Sequence, residues 1–425
     1  MRKLTKNQKW IALISIVVVL IVVIGIFISL EPEAIVGDSG TNKGISYEYN
    51  YDVPKSKPNI FVSKLGYEAN GVKTVLFSGE KTPDSFKVVD CVTGNVVYTG
   101  KISEIKNSEG CYIGKFNSLE TIGEYYIEAD YIGQSFPFFV KEDVRKELFR
   151  EVYFSTTDKL SSEYDIYDKM LDLSMLICAY EYYDEIFNDD TGIRDSGNGI
   201  PDLLDNIREQ IDKLKKEDVS TLTNNEQAMY VALFAKFSFV YKEFDSKFAK
   251  ECLATSNDCY DKYNIYFDNE GAETYYAAAE LYRQLGTSKY RDIVDKYEDI
   301  RGSNSENQSV VFLGDLTYLR TKRRVDTDYC KYLIEYHTNI ARENVVAAKS
   351  NYEYNSDMDE REISQDILGV VIVEYLLGSK EYSDMILSRI HYISGMNFGN
   401  EDFLDEVKGE PEFLFAICNV ILEQD

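Results

Sequence analysis

The hydrophobic pattern of the chain changes its period near residue 142, and this change limits the possible folds more than any other feature. Residues 59–141 contain short alternating or β-branched runs such as IFVSKLGY, KTVLFSG and GEYYIEA. Strands of this length and spacing are typical of a β-sandwich of about 80 residues. Thr93-Gly94-Asn95 separates two of these runs, as the turn of a hairpin would.

From residue 142 onward the apolar residues recur with a helical period. In IPDLLDNIREQIDKLKK, for example, Leu203, Ile207 and Ile211 share one face of a helix. Gly286 follows a later helical run in the position of a C-cap. About twelve helical segments can be counted, and most are joined by short loops. They predict a toroid of paired helices or a solenoid, and no residue-level repeat decides for the solenoid.

The stretch SGNGIPDLLD, residues 196–205, fixes one turn tightly. Two glycines permit backbone angles that a side chain would disfavour, and Pro201 fits the first turn of a helix. Asp202 and Asp205 lie near the positive end of the helix dipole. Two interpretations remain open: the stretch is only a well-made helix start, or it forms a wall of a binding cleft.

The N-terminal segment has the composition of a membrane anchor. Four basic residues within positions 1–9 precede an uncharged apolar run, residues 10–30, whose length matches a bilayer of about 30 Å. The basic flank predicts that residues 1–9 are cytoplasmic and that the body of a single-pass cell-membrane protein lies outside the cytoplasm. A cleaved signal peptide is the alternative. Residues 31–58 have the composition of a flexible linker.

Charge and residue usage exclude several kinds of site. Acidic residues outnumber basic ones by 73 to 46, a balance that repels nucleic acid. Only two histidines are present, so a histidine-based zinc site is not expected, and we predict no metal and no cofactor. The seven cysteines are odd in number and show no framework. They are interpreted as buried free thiols, with a Cys91–Cys111 bridge left open.

Several of these segments resemble glycoside hydrolase family 9, the inverting cellulases and their relatives. The helical segments are DDTGIRDSGNGIPDLLDNIREQIDKLKK, YYAAAELYRQLGTSKYRDIV and EYLLGSKEYSDMILSRIHYISGMNFG. The strands of residues 59–141 resemble the immunoglobulin-like module that precedes many family 9 catalytic domains. The resemblance implies a multidomain β + α protein: an immunoglobulin-like β-sandwich over 59–141 and an (α/α)6 barrel over 142–425.

The resemblance does not assign the family's catalytic base to a single residue of this sequence. Inverting hydrolysis needs a base and an acid carboxyl roughly 6.5–9.5 Å apart. The family's base lies in an Asp-Ala-Gly-Asp segment ahead of a helix that ends in AYE. An ungapped register from that helix places Asp158 at the first aspartate and Ser161 at the base. A gapped register, which deletes seven residues, places Asp165 and Asp168 there instead.

The acid and the sugar subsites are also incomplete by comparison with the family. Glu406 and Glu410 are the only carboxyls placed like its acid glutamate, and its His-His-Arg cluster is missing. The only tryptophan is Trp10, so a sugar-stacking surface would use tyrosine or phenylalanine. Tyr275 and Tyr276 are candidates for that role, although core packing is an alternative for at least one of them.

Three functions are therefore considered. The first is a membrane-anchored, extracytoplasmic family 9-like protein that binds or acts on a β-linked polysaccharide or oligosaccharide with an incomplete catalytic set. The second is an active inverting β-glycosidase of the endoglucanase type, with Asp165 or Asp168 as base and Glu406 or Glu410 as acid. The third is a cell-surface interaction scaffold without a sugar ligand.

Overall fold

The computed structural model describes the chain from residue 51 to residue 422, apart from residues 82, 106–108, 191–195, 266–270, 302–305 and 351–359. The anchor predicted at residues 10–30 and most of the predicted linker lie outside this part. Among the described residues, no helix combines the length and the apolar character needed to cross a membrane.

The first domain is built from nine strands. They are β1 (Ile60–Phe61), β2 (Tyr67–Glu68), β3 (Thr74–Ser78), β4 (Ser85–Asp90), β5 (Val96–Glu104), β6 (Cys111–Lys115), β7 (Gly123–Ala129), β8 (Gly133–Gln134) and β9 (Phe138–Lys141).

The strand β5 belongs to both layers of this domain. Its first part, up to Lys101, pairs with β4, and its last three residues pair with β6. The strand order β1-β3-β6-β5-β4-β7-β9-β2 therefore folds into two sheets, whose inward-facing side chains form one apolar core. The predicted turn at Thr93-Gly94-Asn95 does join β4 and β5 as an antiparallel hairpin, and the Asp90 carboxylate accepts a hydrogen bond from the Thr93 N–H (2.7 Å).

The second domain is helical. Its main helices are α1 (Val144–Ser161), α2 (Ile166–Tyr182), α3 (Asp202–Leu214), α4 (Asn224–Tyr241), α5 (Ser246–Lys262), α6 (Ala272–Leu285), α7 (Ser288–Ile300), α8 (Gln308–Arg320), α9 (Thr327–Ser350), α10 (Glu360–Leu377), α11 (Ser383–Ile393) and α12 (Pro411–Leu422). A single-turn helix, Leu404–Val407, precedes α12.

Even-numbered helices form an inner ring and odd-numbered helices pack outside it. Helices α2, α4, α6 and α8 are buried on nearly every face, whereas α3 buries only one side. The last inner helix, α12, packs against the first, α2, so the ring closes. The arrangement is a barrel-like toroid rather than a solenoid. Gly286 ends α6 in the left-handed conformation, as the sequence predicted.

The stretch SGNGIPDLLD folds around a single carboxylate. The N–H groups of Gly197, Asn198 and Gly199 all donate to Asp189, and both glycines have positive φ (86° and 89°). Pro201 caps α3 one residue before the helix begins. The loop follows the carboxyl end of α2 and therefore lies at the end of the barrel where the inner helices finish.

The β domain docks on the barrel through polar, aromatic and apolar contacts, and Met396 of the helical domain shares a buried cluster with Phe61 and Leu76. The N–H of Lys64 donates to the carbonyl of Ser394 (2.7 Å), and the His391 ring lies 3.0 Å from the Ser63 hydroxyl. The His391 ring also packs against the ring of Tyr67. Burial lowers the pKa of His391 to about 4, so this contact holds a neutral imidazole at neutral pH.

All seven cysteines are free thiols, but only four of them are buried as predicted, while Cys111, Cys259 and Cys330 are partly exposed. The bridge left open between Cys91 and Cys111 does not form, because the two residues belong to different apolar clusters. Cys91 packs with Val89 and Tyr126, while Cys111 packs with the group around Leu76.

A group of buried charges ties the carboxyl ends of α2, α4 and α6 together. We call Glu181, Lys236, Glu280 and Arg283 the rear cluster. Lys236 Nζ lies 2.7 Å from Glu181 and 3.1 Å from Glu280, and Arg283 contacts the same two carboxylates. Two cations therefore face two anions, and all four side chains are less than one tenth exposed.

Candidate functional site

The amino ends of the inner helices meet at the opposite end of the barrel, which we call the mouth. There the Tyr167 hydroxyl, on the first turn of α2, donates to Glu273 of α6 (2.6 Å). Asn307, which caps α8, donates from its side-chain amide to the same hydroxyl (3.3 Å). Because the inner helices run parallel, side chains from several helix starts converge at this end.

Five charged side chains form the centre of the mouth. We call Lys159, Asp172, Arg361, Glu410 and Glu412 the mouth cluster. Lys159 Nζ lies 2.6 Å from Glu410 and 3.2 Å from Asp172. Arg361 contacts Asp172 directly, and its Nε lies 3.4 Å from Glu410 and 3.7 Å from Glu412. The cluster joins α1, α2, α10 and α12.

The cluster has a solvent side and a buried side. The side chains of Lys159, Arg361 and Glu410 retain between 14% and 29% of their exposure, whereas Asp172 and Glu412 retain none. Burial raises the pKa of Asp172 despite the two cations beside it. Burial also raises the pKa of Glu412, to about 7, because the Arg361 guanidinium 3.7 Å away offsets the burial only in part and the nearby Asp172 carboxylate adds to it.

A cavity of about 130 Å³ opens next to the cluster, between α8, α9 and α10. Its walls are mainly apolar, and Glu412, Ser309, Gln365 and His337 supply polar groups. The Ser309 hydroxyl donates to Glu412 (3.1 Å). The mouth therefore combines a charged surface that faces solvent with a recess between three helices.

Comparison with known proteins assigns this architecture. Residues 55–134 match the family model of the cellulase N-terminal ig-like domain. Endoglucanase D from Acetivibrio thermocellus is 19% identical over 93% of this chain and 76% of its own length.

Two solved structures share both domains. A metagenome-derived glycoside hydrolase family 9 endoglucanase superposes with a TM-score of 0.69 at 16% identity, over 81% of this chain and 84% of its own. A single mutant of the thermostable endoglucanase from Alicyclobacillus acidocaldarius superposes with a TM-score of 0.64 at 16% identity, over 81% and 83%. The chain has the glycoside hydrolase family 9 fold. The resemblance inferred from the sequence is thereby confirmed.

Of the two candidates for the family 9 acid, the structure brings one into the mouth. Glu410 directly precedes α12, the last helix, and its carboxylate is held by Lys159 and Arg361. Glu406 lies on the single-turn helix and is exposed. Glu410 is therefore the candidate acid that belongs to the mouth cluster, although both of its oxygens already contact cations of the protein.

The candidates for the base lie around the cluster rather than in it. Asp158 and Ser161 are exposed near the end of α1, and the Ser161 hydroxyl donates to the carbonyl of Thr157. Asp165 is exposed and caps α2, where it accepts from the N–H groups of residues 167 and 168. Asp168 is exposed on the first turn of α2, and its charge acts on Arg361.

The two tyrosines predicted to stack on sugar are core residues. Tyr275 and Tyr276 have no exposed surface. The Tyr275 hydroxyl donates to Asp315 (2.9 Å), and its ring stacks on Tyr297 at 4.2 Å between centroids. The stacking role is therefore wrong for this structure, because α6 is an inner helix with buried residues on nearly every face.

The sequence reasoning missed most of the mouth cluster. Asp172 interrupts the apolar run MLDLSMLICA, and Glu412 stands at the start of the apolar run PEFLFAICNVIL. A carboxyl inside an apolar helical run needs a buried partner, and this signal identifies both residues. Lys159 and Arg361 carry no comparable signal, because basic residues near helix ends are common on solvated surfaces.

One acidic group has the geometry of a cation site. Carboxylate oxygens of Asp189, Asp202 and Asp205 lie within 4.8 Å of one another, and oxygen donors suit a hard cation such as calcium. Asp189, however, already accepts three backbone hydrogen bonds, and Asp202 accepts one from Ser196 (2.7 Å). These hydrogen bonds explain the three aspartates as residues that hold the loop 196–202 in its conformation.

Proposed function

We propose that this chain is an extracytoplasmic, membrane-anchored family 9-like protein that binds a β-linked glycan and hydrolyses it at no more than trace rates. The family 9 fold and the endoglucanases that share it support the glycan as ligand class. The apolar sequence of residues 10–30 and the basic residues before it support the anchor and a location of the mouth outside the cytoplasm.

The state of Glu410 carries the proposal. An acid catalyst must deliver a proton to the leaving oxygen, so its carboxyl must be accessible and able to hold that proton. Both oxygens of Glu410 instead contact cations, Lys159 on one side and Arg361 on the other. Lys159 belongs to the segment TTDKLS, the same segment that places Ser161 at the base position in the ungapped register.

An active inverting hydrolase is the second candidate, and one arrangement favours it. Asp168 and Glu410 both act on the Arg361 guanidinium, from α2 and from the start of α12. Both side chains lie at the mouth, and Asp168 is exposed. Asp168 would then activate water, and Glu410 would protonate the leaving group after a glycan displaces Lys159.

Reducing-sugar release by the full chain in detergent distinguishes the two candidates. The substrates are soluble β-1,4-glucan, xylan and glucomannan, with an active family 9 endoglucanase as reference. We expect release at least about 100-fold below the reference, since loss of a positioned base typically costs 10²–10⁴ in rate. Binding of the same glycans, measured by affinity electrophoresis, should remain detectable.

The matched variants are Asp168→Asn and Glu410→Gln, and the comparison variants are Asp165→Asn and Glu406→Gln, the alternative base and acid assignments from the sequence. Turnover comparable to the reference, abolished by the first pair and retained by the second, would establish the hydrolase. Absence of both turnover and glycan binding would favour the interaction scaffold instead.

A further inference from the structure

The cavity beside the mouth cluster is built unlike a sugar subsite. Val311 and Phe312 of α8, Ile340 of α9 and Leu368 of α10 form its apolar walls, and Met175 of α2 closes the inner side. A sugar ring carries hydroxyl groups around its whole edge, and these walls would leave most of them without partners. A ligand with a mainly apolar body fits this lining.

One carboxylate oxygen in this cavity has no donor. Glu412 has no exposed surface, and its Oε1 accepts from Ser309 and faces Arg361. Its Oε2 is buried and receives no hydrogen bond from the described residues. Leaving a buried acceptor unsatisfied destabilises the protein, and more so when the group is charged. Glu412 lines the cavity, and a turn of its buried carboxyl toward the cavity would bring this oxygen to a hydrogen-bond donor there.

The charges around Glu412 favour a cationic donor. Three carboxyls in the mouth cluster, those of Asp172, Glu410 and Glu412, face two cations. The His337 ring on the cavity wall is engaged elsewhere, 2.8 Å from Asp315, which Arg301 also contacts. One more positive charge next to Glu412 would balance the mouth cluster.

We propose that this cavity binds a compact organic cation, a protonated primary amine on an apolar body about the size of one aromatic ring. The ammonium would donate to Glu412 Oε2, and the body would pack between Phe312, Ile340 and Leu368. The cavity of about 130 Å³ approaches the size of cavities that take up benzene, roughly 150 Å³, and its open side at the exposed Ile340 leaves room for the rest of the ligand. This site does not depend on the glycan function.

Benzylamine is the test ligand, with benzyl alcohol and toluene as neutral counterparts of similar shape. Isothermal titration at pH 8 with the full chain in detergent should show that benzylamine binds at least tenfold more tightly than either neutral compound. Equal affinity for the three compounds, or no binding of benzylamine, would overturn the proposal.

Two variants locate the site. Glu412→Gln should weaken benzylamine at least tenfold and leave toluene unchanged, whereas Glu335→Gln, an exposed glutamate on the neighbouring turn of α9, should change neither. Gly369→Leu should block all three compounds. No atom lies within 4 Å of a Cβ placed at Gly369, so the leucine side chain would extend into the cavity and fill it. Its melting curve reports whether the variant folds. Benzylamine binding that survives both Glu412→Gln and a folded Gly369→Leu would place the ligand elsewhere and refute the assignment.

Discussion

The two ends of the barrel hold buried charges in opposite ways. In the rear cluster, Lys236 and Arg283 each contact both Glu181 and Glu280, so two cations balance two anions. In the mouth cluster, three carboxyls share Lys159 and Arg361, and Glu412 has only Arg361, at 3.7 Å, as a cationic partner. Both groups join inner helices, but only the rear cluster is electrically balanced.

The pKa values express the same difference. The Glu181 side chain is mostly buried, yet Arg283 and Lys236 outweigh that burial and lower its pKa to about 2. Burial prevails at Glu412 and raises its pKa to about 7. A balanced buried cluster serves as a structural tie between helices. An unbalanced one reduces stability, and strongly shifted carboxyls of this kind are concentrated at binding and catalytic sites.

The largest expected effect comes from breaking the rear cluster. Lys236→Met removes one cation and leaves two buried carboxylates facing Arg283 alone. We expect a loss of about 3–5 kcal/mol in the free energy of unfolding, since removing one partner strands the other charges. Urea unfolding of the full chain in detergent, followed by circular dichroism, measures this loss.

Lys159→Met is the matched change at the mouth. Lys159 is partly exposed, and Arg361 still contacts both Asp172 and Glu410 after the change. The expected loss is therefore smaller than for Lys236→Met, about 1–3 kcal/mol, the cost of leaving a buried acceptor without one of its partners. Equal losses in the free energy of unfolding for Lys236→Met and Lys159→Met would show that the difference in charge balance between the two clusters does not affect stability.

The sequence predicted the two ends of the barrel unequally well. Helical periodicity and the family resemblance gave the twelve paired helices, because the apolar faces that define them are local patterns. The loop 196–202 was also recognisable, since its glycines are required by local backbone geometry. The mouth cluster was not, because it joins α1, α2, α10 and α12 across more than 200 residues and depends on the register between them.

Individual residues show the same limit. Glu410 could be placed by its position ahead of the last helix, but its two cationic partners are distant in sequence. Tyr275 and Tyr276 were misassigned because an aromatic pair on an inner helix has the same sequence pattern whether it faces the cleft or the core. Only packing of α6 against α4 and α8 decides that both rings are buried.

The titration of Glu412 should make the stability of the folded chain depend on pH. Its pKa is about 7 in the folded chain and near 4.5 when unfolded, so the folded state binds more protons between these values. Stability therefore falls as the pH rises from about 4.5 to about 7. Over this window the Glu412→Gln variant should gain up to about 3 kcal/mol relative to the parent, an upper bound from the size of the shift.

The measurement is urea unfolding of parent and variant at several pH values between 4.5 and 8, because the difference between them cancels other titrating groups. Glu181 provides the contrast: its pKa is lowered, so its contribution is complete above pH 4.5 and is lost as the pH falls towards 2. A difference between parent and Glu412→Gln that does not change with pH would contradict the unbalanced mouth.

The smallest expected effects come from glycines at the two ends, and they have opposite signs. Gly197 and Gly199 adopt positive φ beside Asp189 at the rear, so alanine at either position should cost about 1 kcal/mol even though open space surrounds each. Gly369 lies within α10 at the mouth, without positive φ and with open space beside it. Alanine there should stabilise the chain by about 0.5–1 kcal/mol, because glycine is a poor helix former.

Urea midpoints for the three single variants check both signs. Stabilisation at Gly197 or Gly199 would mean that the rear loop does not need its left-handed turn, and destabilisation at Gly369 would mean that the space beside α10 is not free.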